Sequence, residues 1–482
     1  MKNLRTLESF GKVEAEEDAV LDYFVEMNLT SRILSGDTFL VLGRKGSGKT
    51  ALFRYFCESK YKNHSVPLNL NGYPWQVHAK VIDGGVEQIE SYVASWKYLI
   101  AVEFAKVVIG LTDRPQMTEV VELKRFLEDN YGDEKPSMKH ILSPKKLVIK
   151  GDLEPQFLGC KLGKISLSKE NDNLDLGNEL NALTGKLLKY IKRISEVSKL
   201  QRFYLHFDEL DRGITDLTEQ RKNLIVGLIL AAKETKKILK SDITIFNPVV
   251  YLRSDIWDEV KFSDKNKIFE SGSDLIEWDT TALINMIEKR VKVLLGNGFS
   301  WADIDDGKKI NSQSKCKHII ERSLMRPRDI ISFLNSLLET AKKRSEPDLI
   351  FINKDVVDTR PKYSKYLKNE LDDEIRSHWE GWENSLKCFS RIGRLYFKKD
   401  EYALEYNSIL LDNDNDNEIS YQQSLEILYN FSIIEYEARS GYGGSSWVSK
   451  FANPELGWDS NAVRFKVHLG LKEYLKLKEE RT

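Results

Sequence analysis

Residues 43–50, GRKGSGKT, set Gly43, Gly48, Lys49 and Thr50 in the pattern G-x-x-x-x-G-K-[ST]. A loop of this kind can close around phosphate. Gly43, Gly46 and Gly48 let the backbone fold tightly, so that N–H groups of the stretch Gly43, Arg44, Lys45, Gly46, Ser47, Gly48, Lys49 and Thr50 turn inward toward an anion. The start of a following helix adds partial positive charge. Lys49 would reach the outer phosphates, and Thr50 would offer its hydroxyl to Mg²⁺. The motif requires a strand before it and a helix after it. TFLVL (38–42) reads as a buried strand, and TALFRYFCESKY (50–61) carries apolar residues at helical spacing.

Phosphate chemistry also needs an acid at the end of a second strand. FYLHFDELD (203–211) supplies two after an apolar run. Asp208 is expected to hold Mg²⁺ and Glu209 to activate the attacking water. Both fall at a strand's carboxyl end, where open α/β sheets bind ligands. His206, inside the run, reads as a core histidine. A third strand, VVYL (249–252), leads into Arg253, Ser254 and Asp255. Arg253 can touch the outermost phosphate or the water; pairing with Asp255 is the competing reading.

The surrounding chain is ordinary for a globular protein of several domains. It has 482 residues, 41% apolar and 30% charged, with a net charge of −1. No global basic excess points to nucleic acid, although a local patch remains open. Cys57, Cys160, Cys316 and Cys388 are far apart and form no CxxC pair, which argues against a zinc site or a disulfide framework. The first residues lack the apolar run of a signal peptide. The longest apolar stretch, 98–111, is interrupted by Glu103 and Lys106 and is too short to span a bilayer. A cytoplasmic protein with no membrane partner is expected.

The guanine-reading pattern [NT]-K-x-D is absent: in INKDVVD (352–358), Asp355 follows Lys354 directly. That favours ATP over GTP. Leu34-Ser35-Gly36 precedes the phosphate loop and does not continue as LSGGQ, so ABC-type clamping is not expected.

Helical spacing recurs in 279–295 and in 323–344, and the second stretch opens on Met325-Arg326-Pro327-Arg328-Asp329. In the order GRKGSGKT, FYLHFDELD, VVYLRSD and RPRDIISFLN, these segments resemble the AAA+ P-loop ATPases of the origin-recognition (ORC/Cdc6-like) type. The likeness is greatest to the bacterial, phage-defence-associated branch. The resemblance covers roughly residues 10–345, with gaps. It implies an α/β fold, with a P-loop NTPase three-layer αβα core, a helical lid and a C-terminal winged-helix-like domain. It maps Arg253 and Ser254 onto the first sensor and Arg328 onto the second, with Arg326 as the alternative. It makes GKVEAEEDAVLDYFV (11–25) an acidic helix ahead of the core. No arginine finger is apparent.

The implied domains are an N-terminal segment (1–35), the ATPase core (36–262), the lid (263–361) and a C-terminal domain (362–482). Lys49 and Asp208 are 159 residues apart, more than the intervening βα units require, so an insertion is placed at about 112–180. Within it, 145–167 reads as a basic β-hairpin and 170–179 as polar and turn-like. In the C-terminal domain, 376–397, 420–439 and 462–477 read as helix, helix then strand, and strand then helix. Trp447, Phe451 and Trp458 lie in a long glycine-rich loop, as partner contacts or as self-packing. Asp412, Asp414 and Asp416 fit the first positions of a calcium loop. Asn417 and Gln423 stand where Gly and Glu are needed, so 411–418 reads as a solvated turn.

The function these readings converge on is a Mg·ATP-controlled conformational switch that hydrolyses ATP. A protein effector or further copies of the chain are left open as partners, as is DNA at the C-terminal domain. The rival functions are a DNA-binding initiator or loader, a P-loop kinase, and a scaffold that binds ATP without turnover.

Overall fold

The computed structural model describes residues 3–71, 88–141, 146–157, 160–161, 163–166, 173–210, 218–376, 378–412, 419–439, 444–453 and 456–479. Asp211, the central part of the 411–418 turn, and parts of the insertion hairpin and of the 440–461 loop lie outside them. The chain divides into two compact units. One comprises residues 26–44 and 49–276; the other comprises residues 1–25, 45–48 and 277–482.

The first unit is built on a parallel sheet with five strands among the described residues: β1 (Leu40–Gly43), β2 (Ser65–Asn69), β3 (Arg202–Asp208), β4 (Ile245–Arg253) and β5 (Ser273–Leu275). Their order across the sheet is β2-β3-β4-β1-β5. Helices α1 (Lys49–Glu58), α2 (Gln88–Leu111) and α4 (Glu219–Ile238) pack on its strands, and α3 (Asn173–Val197) packs on α2. Alternation along β3 shows why both faces need covering. Tyr204 and His206 turn to Phe56 of α1, while Phe207 packs on Trp96 of α2 and Phe203 joins a ring cluster with Phe246 and Phe104. The result is a three-layer arrangement. Burial of α2 on nearly all sides accounts for its long apolar run.

Helix α2 packs against α3 and α4. The approach to α4 is close because Gly227 stands there: a Cβ would lie 2.7 Å from Tyr92 Cβ. Nearby, Trp96 Nε1 donates to Leu224 O at 3.0 Å.

Several elements differ from the sequence-based expectations. β4 begins at Ile245 and passes through Pro248, where Asn247 Nδ2 donates to Ile33 O and Thr38 O at 3.1 and 2.8 Å. The three-residue β5 has no strand signature in the sequence, yet it pairs in parallel with β1. Residues 173–179, expected as turn, are the first turns of α3; the leucines at 176, 180, 183 and 187 carry the helical period through them. The insertion contains a helix (Thr118–Tyr131), an antiparallel ladder between 146–148 and 164–166, and a second between 156–157 and 160–161.

The second unit contains α5 (Thr280–Leu295), α6 (Pro327–Lys342) and α7 (Asn353–Ile375). Segment 11–25 forms one four-residue helix, Val20–Tyr23, not a long acidic one. The chain before it is held as a strap. Phe10 N donates to Asn335 Oδ1 at 2.7 Å, and buried Arg290 pairs with Asp18 at 2.7 Å. Farther on come α8 (Trp382–Ile392), α9 (Lys399–Asp412), α10 (Tyr421–Asn430), and strands β6 (Tyr396–Lys398), β7 (Ile434–Arg439), β8 (Ser445–Val448) and β9 (Arg464–Val467). The strands form an antiparallel sheet in the order β6-β9-β7-β8. The α-helix expected after β9 is instead a short 3₁₀ turn, Leu469–Leu471. Gly470 belongs there because a Cβ would stand 2.4 Å from Arg322 O. Trp447 packs on Tyr396, Phe451 on His468, and Trp458 on Tyr429 and Phe465, so these aromatics are self-packed.

Gly227→Ala tests the α2–α4 contact. Overpacking at Tyr92 should cost about 1–3 kcal/mol in urea unfolding. Unchanged stability would mean that the helices can move apart freely.

Candidate functional site

The phosphate-loop motif joins the end of β1 to the start of α1. Gly43 ends β1, and its register partner is Arg253, the last residue of β4. Asp208 ends β3, the next strand over, and pairs in register with Asn69 of β2. Parallel pairing therefore brings Gly43, Arg253 and Asp208 to one edge of the sheet, at the carboxyl ends of adjacent strands. Lys49 and Thr50 open α1, which begins at this edge. This is where an open α/β sheet takes a ligand.

Gly46 and Gly48 have φ of +78° and +106°, conformations that favour glycine. A Cβ at Gly48 would meet nothing within 4 Å, so the space beside it is open. Ser47 is buried, and its hydroxyl makes no hydrogen bond to a described residue. The ammonium of Lys49 donates to Gly43 O at 2.9 Å and to Arg44 O at 3.1 Å. Loop backbone, a buried hydroxyl and a lysine folded onto the loop form a donor set that suits a polyphosphate.

Asp208 is 3% exposed and Glu209 8% exposed. Glu209 adopts φ of +62°, the left-handed region that a non-glycine residue enters at a cost of about 1–3 kcal/mol. That turn separates Glu209 from the strand direction immediately after Asp208. Among the described residues, no group of three or more His, Cys, Asp or Glu could hold a metal ion. A Mg²⁺ ion does not need one: it is commonly held by one or two carboxylates together with substrate phosphates. Thr50 and Asp208 are the residues expected from the sequence for that role.

Arg253 is engaged by Asp255, with Nε donating to Oδ1 at 3.0 Å and Nη2 to Oδ2. The sensor role expected for it would require giving up part of that pairing. Arg328 and Arg326, in the second unit, differ sharply. Arg328 is one-fifth exposed and meets Glu370 at 3.4 Å. Arg326 is fully buried, with its Nε donating to Asp329 Oδ2 at 2.9 Å and Nη1 to Glu374. Residues 45–48 pack in this same unit. Arg328 Cβ would lie 2.9 Å from a Cβ placed on Gly46. Trp278, which the sequence reading passed over, donates from Nε1 to Ser47 O at 2.8 Å. Its only signal was a lone tryptophan just before Asp279, the N-cap of α5.

His206 lies in the core beneath α1. Its ring nitrogens face Tyr251 Oη at 2.9 Å and Ser65 Oγ at 3.3 Å, and it stacks on Phe56. Burial lowers its pKa to about 3. Burial likewise pushes the Cys57 thiol up to about 12, so Cys57 is not a ready nucleophile.

Residues 281–372 match the FunZ-associated C-terminal helical domain family, a minor part of the chain that includes Arg326, Arg328 and Glu370. An 80.3 kDa protein of Escherichia coli (strain K12), named for transposon gamma-delta, is 21% identical over 364 residues. The match covers 71% of this chain and 48% of that protein, so the chain spans about half the length of the curated relative it matches. Among solved structures, Cdc6p from Pyrobaculum aerophilum aligns over 93% of this chain and 90% of its own, at 11% identity and a TM-score of 0.30.

The buried histidine gives a pH test. Its folded pKa lies below the unfolded value of about 6.5. The unfolded chain therefore takes up a proton that the folded chain refuses. Stability is full above about pH 6.5 and falls as pH drops toward 3, by up to about 1.4 kcal/mol per pH unit from this group. Buried His318, lowered to about 3 mainly by desolvation, adds the same sign. Urea unfolding between pH 7 and 5 should show the slope, and His206→Gln should reduce it. An equal slope in the variant would contradict the assignment.

Proposed function

We propose that the chain is an ATP-binding, Mg²⁺-dependent ATPase of the AAA+ class, acting as a nucleotide-controlled conformational switch in an antiviral defence or DNA-associated assembly. The observation that carries this reading is the convergence of the phosphate loop, Asp208 and Arg253 at the carboxyl ends of adjacent parallel strands, with Glu209 turned out of the strand line. The FunZ-associated helical domain supports the defence-related branch. The relative named for a transposon supports a DNA-associated setting.

In this mechanism the loop N–H groups and Lys49 bind the polyphosphate. The Lys49 ammonium exchanges the carbonyls of Gly43 and Arg44 for phosphate oxygens. Thr50 and Asp208 would hold Mg²⁺, which would supply neutralisation of the phosphate charge. Glu209 accepts the proton of the attacking water. Arg253 and Arg328 serve as sensors, each released from a carboxylate, Asp255 and Glu370 respectively. Two carboxylates that hold the sensor arginines at rest suit a switch, because ligand phosphate then competes with them for the same charge.

A second reading rests on the C-terminal region. The order α8, β6, α9, α10, β7, β8, β9 supports a winged-helix-like domain, and with it an initiator or loader that contacts DNA. The two readings separate on one assay. Glu209→Gln should lower phosphate release by about 100-fold or more while ATP remains bound. Added duplex DNA should leave the rate unchanged if the switch answers to a protein effector, and raise it if the initiator reading holds. Undiminished hydrolysis by Glu209→Gln would overturn the role given to this residue.

A further inference from the structure

We infer that Trp278 and Arg326 are positioning residues for the nucleotide, acting through the carbonyls of the phosphate loop; the inference rests on the ATPase reading above. Three successive loop carbonyls are met by donors of the unit in which residues 45–48 pack. Arg326 Nη1 donates to Lys45 O at 3.1 Å, the backbone N–H of Arg328 approaches Gly46 O at 3.5 Å, and Trp278 Nε1 donates to Ser47 O at 2.8 Å. A trans peptide unit points its C=O and the next residue's N–H in opposite directions. Holding the carbonyls of residues 45, 46 and 47 therefore turns the N–H groups of Gly46, Ser47 and Gly48 the other way. Those are the groups a phosphate would occupy.

The surroundings of the two donors agree with a holding role. Arg326 already spends its charge on Asp329 and Glu374, both buried. It is thereby held in place by two carboxylates, which suits a fixed carbonyl donor and not a residue that swings onto a ligand. Lys45 is drawn to the same helix that supplies Glu374, meeting Asp373 at 3.2 Å and Glu370 at 3.4 Å. Gly46 is required at the middle peptide twice over, by its φ of +78° and by the approach of Arg328. Trp278 is half-buried and packs against the core of its unit, so the replacement that tests its N–H has to keep an aromatic ring.

The test uses the full chain and Mg·ATP. Trp278→Phe keeps an aromatic ring and removes the N–H. It should weaken ATP binding by about five- to tenfold and raise KM more than it lowers kcat, with the thermal midpoint moved by no more than about 2 °C. Arg326→Lys, which keeps the charge among the carboxylates but loses the planar fork, should shift KM in the same direction. An unchanged ATP affinity in Trp278→Phe, or an affinity loss matched by a large fall in thermal midpoint, would overturn the inference. No ATP binding by the wild type would instead overturn the ATPase reading itself.

Discussion

The pairing of β1 with β4 is the constraint on which the rest depends. It places Gly43 opposite Arg253 and seats β4 between the loop-bearing strand and the acid-bearing β3. A one-residue slip in that register would move Arg253 off the edge and reverse the faces on which Tyr251 and its neighbours pack. The buried contact of Tyr251 with His206 ties β4 to β3, and both residues pack on Phe53 of α1. The helix that follows the phosphate loop is thus anchored to β4, the neighbour of the loop-bearing strand, and to the acid-bearing β3 beyond it.

Unfavourable local conformations gather at this edge. Glu209, Gly46 and Gly48 all take positive φ within a short distance of a strand or helix end. Glycine relieves the loop positions, but Glu209 carries a side chain there. Its burial, and that of Asp208 beside it, hold the turn in place. In the second unit, buried charge is handled by close pairing. Arg326 lies between two carboxylates, and Arg290 meets Asp18. Removing one partner from such pairs is costly because the other charge stays buried.

How much of this could be read from the sequence depended on the kind of signal. β1 and β3 are continuous apolar runs ending in Gly43 and Asp208, so strand and chemistry appear together. β5 is three residues, SDL, with no alternation to betray it; only its pairing with β1 makes it a strand. The start of α3 is polar and masks its leucine period. The segment 11–25 is rich in acids, as helices often are, but buried Asp18 is held by Arg290 and the backbone follows that contact. Arg326 and Arg328 are two residues apart and look equivalent in sequence. The fold separates them, burying one with carboxylates and leaving the other at the loop glycine. Trp278 was illegible because a side chain that bonds a main-chain carbonyl needs no particular residue opposite it.

Equilibrium binding of Mg·ATP to the full chain, wild type beside Lys49→Ala, tests the central claim most directly. The account predicts saturable one-to-one binding by the wild type and loss of it in the variant, with the fold retained by circular dichroism. Equal binding by both proteins, or none by the wild type, would contradict it.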